Sequence, residues 1–166
     1  LKANRELLKN NRKPNLLKRR FRLAGPGEIL LTDVSYLKYG LNRTEYLSCV
    51  KDAVSGRVVS HITSSGNDLN LAMDTIDTLD PAEDAIFHSD QGSLYLNDFF
   101  QNRIKELGYS QSMSRRGNCW DNASQESFFG HMKDECDLSG CSTPEGVKKM
   151  IDDYVYYYNN ERPQWT

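Results

Sequence analysis

The chain has 166 residues and a mass of 19.0 kDa, which suits one domain with at most a short appendage. Hydrophobic residues make up 38% and charged residues 27%; no apolar run approaches the ~20 residues that span a bilayer, and no apolar block follows the basic N-terminus as a signal peptide requires. The net charge of -2 conceals an asymmetry, because residues 1–22 hold nine Lys/Arg against one acid and the remainder twelve against twenty-two. A basic arm on an acidic body is either a solvated terminus or a nucleic-acid footprint. Four cysteines without a CxxC pair argue against structural zinc and for free thiols.

In chain order, residues 1–22 read as a basic, partly helical arm broken at Pro14, and AGPG at 24–27 as a turn. EILLTDVSYL (28–37) is an apolar run too short for a helix, so it predicts a buried strand. TEYLSCVKD (44–52) alternates and GRVVSHITS (56–64) follows a short turn, which together predict an antiparallel meander. Asn67 to Leu79 sets Leu69, Met73, Ile76 and Leu79 at helical spacing, with Asp68, Asp74 and Asp77 on a solvated face. AIFHSD (85–90) predicts a short strand ending at Asp90. Leu94 to Leu107 predicts a second amphipathic helix with Gly108 as its C-cap. YSQSM (109–113) predicts a fifth strand and SRRGNC (114–119) a polar loop. Asp121 caps a helix reaching Cys136; Thr143 caps a last helix to Asn160, with Glu145 in its first turn. This order predicts an α/β fold, a five-stranded mixed sheet flanked by helices.

Three acids fall where chemistry can use them. Asp33 lies inside the first strand, where a carboxylate is costly to bury without a partner or a metal. Asp90 ends the fourth strand, a natural site position beside a crossover. Asn122, Glu126 and Lys133 share one helical face, whereas Phe128, Phe129, Met132 and Cys136 read as core. Converging carboxylates suit Mg²⁺, a hard ion that prefers oxygen ligands. Two such ions relieve charge on the attacking and leaving oxygens of a phosphodiester. With twenty-three acids in the chain, spacing alone leaves another reading open, in which the strand acids are hydrogen-bonded and Glu126 forms surface pairs.

TDVSYL (32–37), HSDQGSLY (88–95), SMSRRGNCWDNASQESFFGHMKDE (112–135) and YYNNERPQ (157–164) resemble the OrfB-type transposases of a large bacterial insertion-sequence family. Their core is similar to retroviral integrase and has a ribonuclease-H-like fold. The likeness runs from about Lys13 to Gln164, and the thirty-five residues between Asp90 and Glu126 match the family's spacing of its last two catalytic acids. The resemblance implies that Asp33, Asp90 and Glu126 form the metal-binding catalytic triad of a DDE transposase, which takes two Mg²⁺ or Mn²⁺ ions for DNA cleavage and strand transfer. It implies that Lys133 contacts DNA near the scissile phosphate. The loop bearing Arg115, Arg116 and Asn118 approaches DNA or is merely exposed. His88 orients the site or makes a structural hydrogen bond, and Asn122 supports the glutamate helix or its capping turn. Arg162 meets a phosphate or an acid of its own domain, and Tyr154, Tyr157 and Tyr158 pack the last helix. Leu30 stands where the family often has Trp, a change of packing rather than chemistry.

The expected organisation is a basic arm or linker over residues 1–24 and an integrase catalytic core over 25–166, cut short at its C-terminus. A helix-turn-helix region is expected upstream or on a partner. The expected partners are DNA ends and target DNA, with a homo-oligomer assembled on them in the bacterial cytoplasm at the nucleoid, and no membrane. The rival expectation is an inactive or truncated DNA-binding or assembly module derived from a transposase.

Overall fold

The computed structural model describes residues 10–17, 24–114 and 123–163. Its first three strands, β1 (Ile29–Tyr39), β2 (Arg43–Asp52) and β3 (Val58–Ser64), form the expected antiparallel meander, in which Asp33 pairs with Cys49 and Cys49 with His61. The β1–β2 hairpin turns through Gly40 (φ 49°) and Asn42 (φ 61°), residues that tolerate the left-handed region. β1 outruns its expected end at Leu37, because Lys38 and Tyr39 continue to pair with Thr44 and Arg43. β4 (Ile86–Ser89) then runs parallel to β1, and β5 (Ser110–Met113) parallel to β4. The sheet order is β3-β2-β1-β4-β5, the five-stranded mixed sheet read from the sequence.

α1 (Leu69–Asp77) and α2 (Asp98–Glu106) cover one face of this sheet. There Leu30, Val50 and Phe87 pack with Ala72, Ile76, Phe100 and Ile104. α3 (Ala123–Glu135) and α4 (Pro144–Asn160) cover the other, where Leu37, Leu47 and Cys49 meet Phe128, Met132, Ile151 and Tyr158. Each fully buried side chain of this size contributes about 1.5–3 kcal/mol of transfer free energy. β2 lies between β1 and β3 with helices on both faces, so it is buried continuously from Leu47 to Asp52 rather than half exposed as its alternation predicts.

Local capping corrects two boundaries. Asp68 and Asp77 are not simply solvated: Asp68 caps α1 by accepting from Leu71 N (3.2 Å), and Asp77 pairs with Arg103 at 2.6 Å. α2 begins at Asp98 rather than Leu94. Tyr95 N and Leu96 N donate to Gly92 O, and extended Asn97 caps the helix through Phe99 N. Thr143 caps α4 as expected, its Oγ1 accepting from Gly146 N at 3.1 Å.

Residues 10–17 lie on the domain. Asn11 Nδ2 donates to Leu96 O (2.8 Å), Met113 N to Pro14 O (3.3 Å) and Leu16 N to Ser112 Oγ (2.9 Å). Leu17 is 2% exposed against Ile29 and Leu31. Cys49, Cys136 and Cys141 are free thiols, and Cys119 lies outside the described residues. Among the described residues no helix is long and apolar enough to cross a membrane.

Candidate active site

Leu37 and Tyr39 of β1 pack with α3 and α4, Ile29 and Leu31 pack with Leu17, and Asp33 and Ser35 are the polar odd-numbered positions between them. β1 and β4 pair in parallel as far as Leu31 with His88. Carried two residues further, past the last paired residues where the strands part, that register points to Asp33 and Asp90 as counterparts. Such a parting beyond the carboxyl end of a parallel strand is a natural crevice. Each carboxylate is held by its own backbone: Asp33 Oδ1 accepts from Val34 N (2.8 Å) and Asp90 Oδ1 from Gly92 N (2.7 Å).

Glu126 lies exposed in the first turn of α3, at the favourable end of the helix dipole for an anion. It is near enough to act on Asp33. Burial pushes the Asp33 carboxyl up to about 6; the Val34 amide opposes that, and the charges of Asp90 and Glu126 add to it. Asp90 and Glu126 therefore both act electrostatically on Asp33. Among the described residues no three His, Cys, Asp or Glu side chains are closed tightly enough to ligate one ion as they stand. The donor set is nevertheless all oxygen and negatively charged, which fits Mg²⁺ or Mn²⁺ and does not fit a soft metal.

Of the other sequence candidates, Lys133 shares the exposed face of α3 with Glu126, its Nζ 4.2 Å from the centroid of the exposed Tyr36 ring. The two border a groove of about 770 Å³ between the end of β1 and α3, whose lining includes none of the three acids. His88 is wholly buried, with Nδ1 2.9 Å from Ser112 Oγ, so it makes the structural contact of its two expected roles. Arg162 meets an acid of its own domain: it forks onto Glu135 at 2.8–3.1 Å, and Tyr154 Oη donates to the same carboxylate at 3.1 Å. Arg162 holds that carboxyl below its usual range. Tyr154 and Tyr158 pack against Phe128, whereas Tyr157 stays more exposed. Arg115, Arg116, Asn118 and Asn122 lie outside the described residues.

Three neighbours of these acids were not singled out from the sequence. Tyr95 is buried, which raises its phenol pKa, and the charges of Asp33 and Asp90 add to that rise. Gln125 and Lys51 are buried polar groups tying α3 to the sheet. Gln125 was detectable, because residues 125, 128, 129 and 132 follow the i, i+3, i+4, i+7 pattern of a core stripe.

A family model described as Integrase core domain matches residues 24–119, and another of the same description matches residues 107–164. The chain belongs to the integrase core domain family. This integrase core is 40% identical over 155 residues to a protein of Escherichia coli K12 named as a transposase, InsK, for insertion sequence element IS150; the match covers 90% of the chain and 54% of that protein. It is 36% identical to a transposase-like protein of Haemophilus influenzae, across 90% of the chain and 71% of that protein. The integrase core therefore spans about half the length of the first relative. Its fold matches the catalytic core domain of BIV integrase with a TM-score of 0.64 at 16% identity, covering 83% of this chain and 87% of that one. The HTLV-2 integrase catalytic core domain in complex with magnesium matches with a TM-score of 0.62 at 18% identity, covering 82% and 89%. The fold is ribonuclease-H-like.

Proposed function

We propose that this integrase core is the catalytic core of a DDE transposase, cleaving DNA and joining the freed 3′ end to target DNA in insertion-sequence transposition. What supports this reading is that Asp90 and Glu126 both act electrostatically on Asp33, and that the β1–β4 register points from Leu31 and His88 toward Asp33 and Asp90. Asp33, Asp90 and Glu126 would hold Mg²⁺ or Mn²⁺, two ions during catalysis; bound there, such ions lower the pKa of water and offset charge on the attacking and leaving oxygens. The protein's own contribution is placement. The Val34 and Gly92 amides each fix one carboxylate oxygen, leaving the other without a hydrogen bond among the described residues.

Lys133 offers its ammonium to a backbone phosphate from the face that carries Glu126. Arg115, Arg116 and Asn118 serve as further DNA contacts, and Asn122 supports the start of α3. Arg162, engaged by Glu135, is assigned to holding α4 on α3. In the first step a water oxygen bonds to phosphorus as the 3′ oxygen leaves and takes up a proton. In the second, that 3′-hydroxyl loses its proton as it bonds to a target phosphorus, and the target's own 3′ oxygen leaves. Each step exchanges one P–O bond for another, so no side chain is needed as a nucleophile.

We assign catalysis to residues 25–166 and a linking role to the basic residues 1–24. A homo-oligomer on paired DNA ends, an upstream helix-turn-helix region and a nucleoid location in the bacterial cytoplasm belong to the same reading. The test is nicking of supercoiled plasmid and joining of labelled element ends, with Mg²⁺ or Mn²⁺ and with EDTA. Asp90→Asn is expected to lose about a hundredfold or more of the rate while its unfolding temperature is maintained. DNA binding without metal-dependent nicking in the native chain would favour the assembly-module reading instead.

A further inference from the structure

Gln125 immediately precedes Glu126 and is the polar member of α3's buried set, beside Phe128, Phe129 and Met132. It is 0% exposed, and its Nε2 donates to Leu31 O at 2.6 Å and to Cys49 O at 3.2 Å. These carbonyls belong to neighbouring strands and bracket Asp33. Leu31 lies two residues before it on β1, and Cys49 is its cross-strand partner on β2. The two carbonyls also fix which way the amide faces, since turning Oε1 toward them would set acceptor against acceptor. Oε1 then has no donor among the described residues. An apolar side chain of similar length would fill the space without burying an unsatisfied acceptor. What a glutamine supplies here beyond volume is therefore the pair of hydrogen bonds to Leu31 O and Cys49 O.

One residue earlier, Ser124 receives the Lys51 ammonium on both its carbonyl O and its Oγ, each at 3.1 Å. Lys51 is 3% exposed, donates to Tyr158 Oη at 3.2 Å, and lies over the Phe128 and Tyr158 rings. Consecutive helical residues are about 100° apart around the axis. Anchors at 124 and 125 consequently fix both the rotation of α3 and its height above β1 and β2.

The geometry points to Gln125 and Lys51 as positioning residues that set Glu126 against Asp33, by pinning the first turn of α3 to the two strands that meet at Asp33. This rests on the reading of Glu126 as a metal ligand, and one experiment separates the two. Mn²⁺ affinity is measured by electron paramagnetic resonance on the metal-stripped chain, with thermal unfolding followed in parallel. Glu126→Gln is expected to weaken Mn²⁺ binding about tenfold or more. Gln125→Met removes the donor, conserves volume, and is expected to keep a cooperative unfolding transition while weakening Mn²⁺ about tenfold, the scale of lost ligand support. Lys51→Met removes the other anchor and should weaken it in the same direction, giving a second measurement should Gln125→Met not fold. Phe129→Leu, a core change on the same helix, should lower the unfolding temperature and leave Mn²⁺ affinity unchanged. Native affinity in both anchor variants, with Glu126→Gln weakened, overturns the positioning role and leaves the ligand set standing. Mn²⁺ binding that is undetectable in the native chain, or unaffected in Glu126→Gln, overturns the ligand set and the positioning role with it.

Discussion

At the level of single residues, Asp33 is a place where stability and activity pull apart. The carboxyl is half-buried with two other acids in range, so its pKa rises from 3.8 to about 6 on folding. The folded chain therefore prefers Asp33 protonated. Its contribution to stability is fully present below about pH 3.8 and is lost as pH rises through about 6. Asp33→Asn removes that charge at nearly constant volume. Metal-free, the variant should be more stable than the native chain at pH 7–8 by up to about 3 kcal/mol, the linkage equivalent of the displacement. The advantage should shrink toward pH 4, and Mn²⁺ should stabilise the native chain and not the variant. Urea unfolding at both pH values, with and without Mn²⁺, checks this; an advantage independent of pH would show that burial of the charge is not its source.

Elements are held by a few stereochemical necessities, some legible in advance. Gly108 closes α2 at φ +87°, with its N–H on Lys105 O and Tyr109 N on Ile104 O, the expected C-cap. A Cβ there would lie 1.9 Å from Ala82 O, so the β5 approach is closed to any other residue. Gly108→Ala should cost about 1–3 kcal/mol from the left-handed backbone alone, and more from the clash, read as a lowered urea midpoint. Turn residues and apolar runs made β1 to β5 and the caps of α2 and α4 readable, because those signals are local. Leu94 to Leu96 misled because their helical spacing serves a turn that buries Tyr95 and Leu96 without a helix. Of the proposed site, Asp33 and Asp90 stood out as charges in or at the end of strands, and Glu126 by a spacing that a family shares. Lys51 was not, because one polar residue in an alternating strand looks solvent-facing until helices are known to cover both faces. Nor was the partner of Arg162, since it lies 27 positions beyond Glu135.

For the whole molecule, the edge of the sheet decides what residues before Ala24 do. β5 is an edge strand, and an uncovered edge invites pairing with another chain. Residues 11–17 cover it: Pro14 O takes the Met113 N–H, Ser112 Oγ takes the Leu16 N–H, and Gln101 Nε2 binds Asn11 O at 2.7 Å. Leu17 fills the space beside Ile29 and Leu31, while Arg12 and Lys13 stay exposed. One short segment thus seals the sheet with its apolar side and keeps cations outward, where a phosphate backbone can meet them. A chain beginning at Ala24 should lose about 3–7 kcal/mol, from Leu17 burial at about 1.5–3 and three lost hydrogen bonds at about 0.5–1.5 each. It should also associate with rising concentration through the bared β5. Leu17→Ala, which keeps every charge and every backbone hydrogen bond of the segment, should show up to about half of the stability loss without the association. Because the loss comes from burial, it should be nearly independent of salt, whereas any loss of DNA affinity in the shortened chain should diminish as salt rises. Urea unfolding at two ionic strengths and size-exclusion across a concentration series decide it; equal stability and an unchanged monomer would reduce the segment to a passive arm.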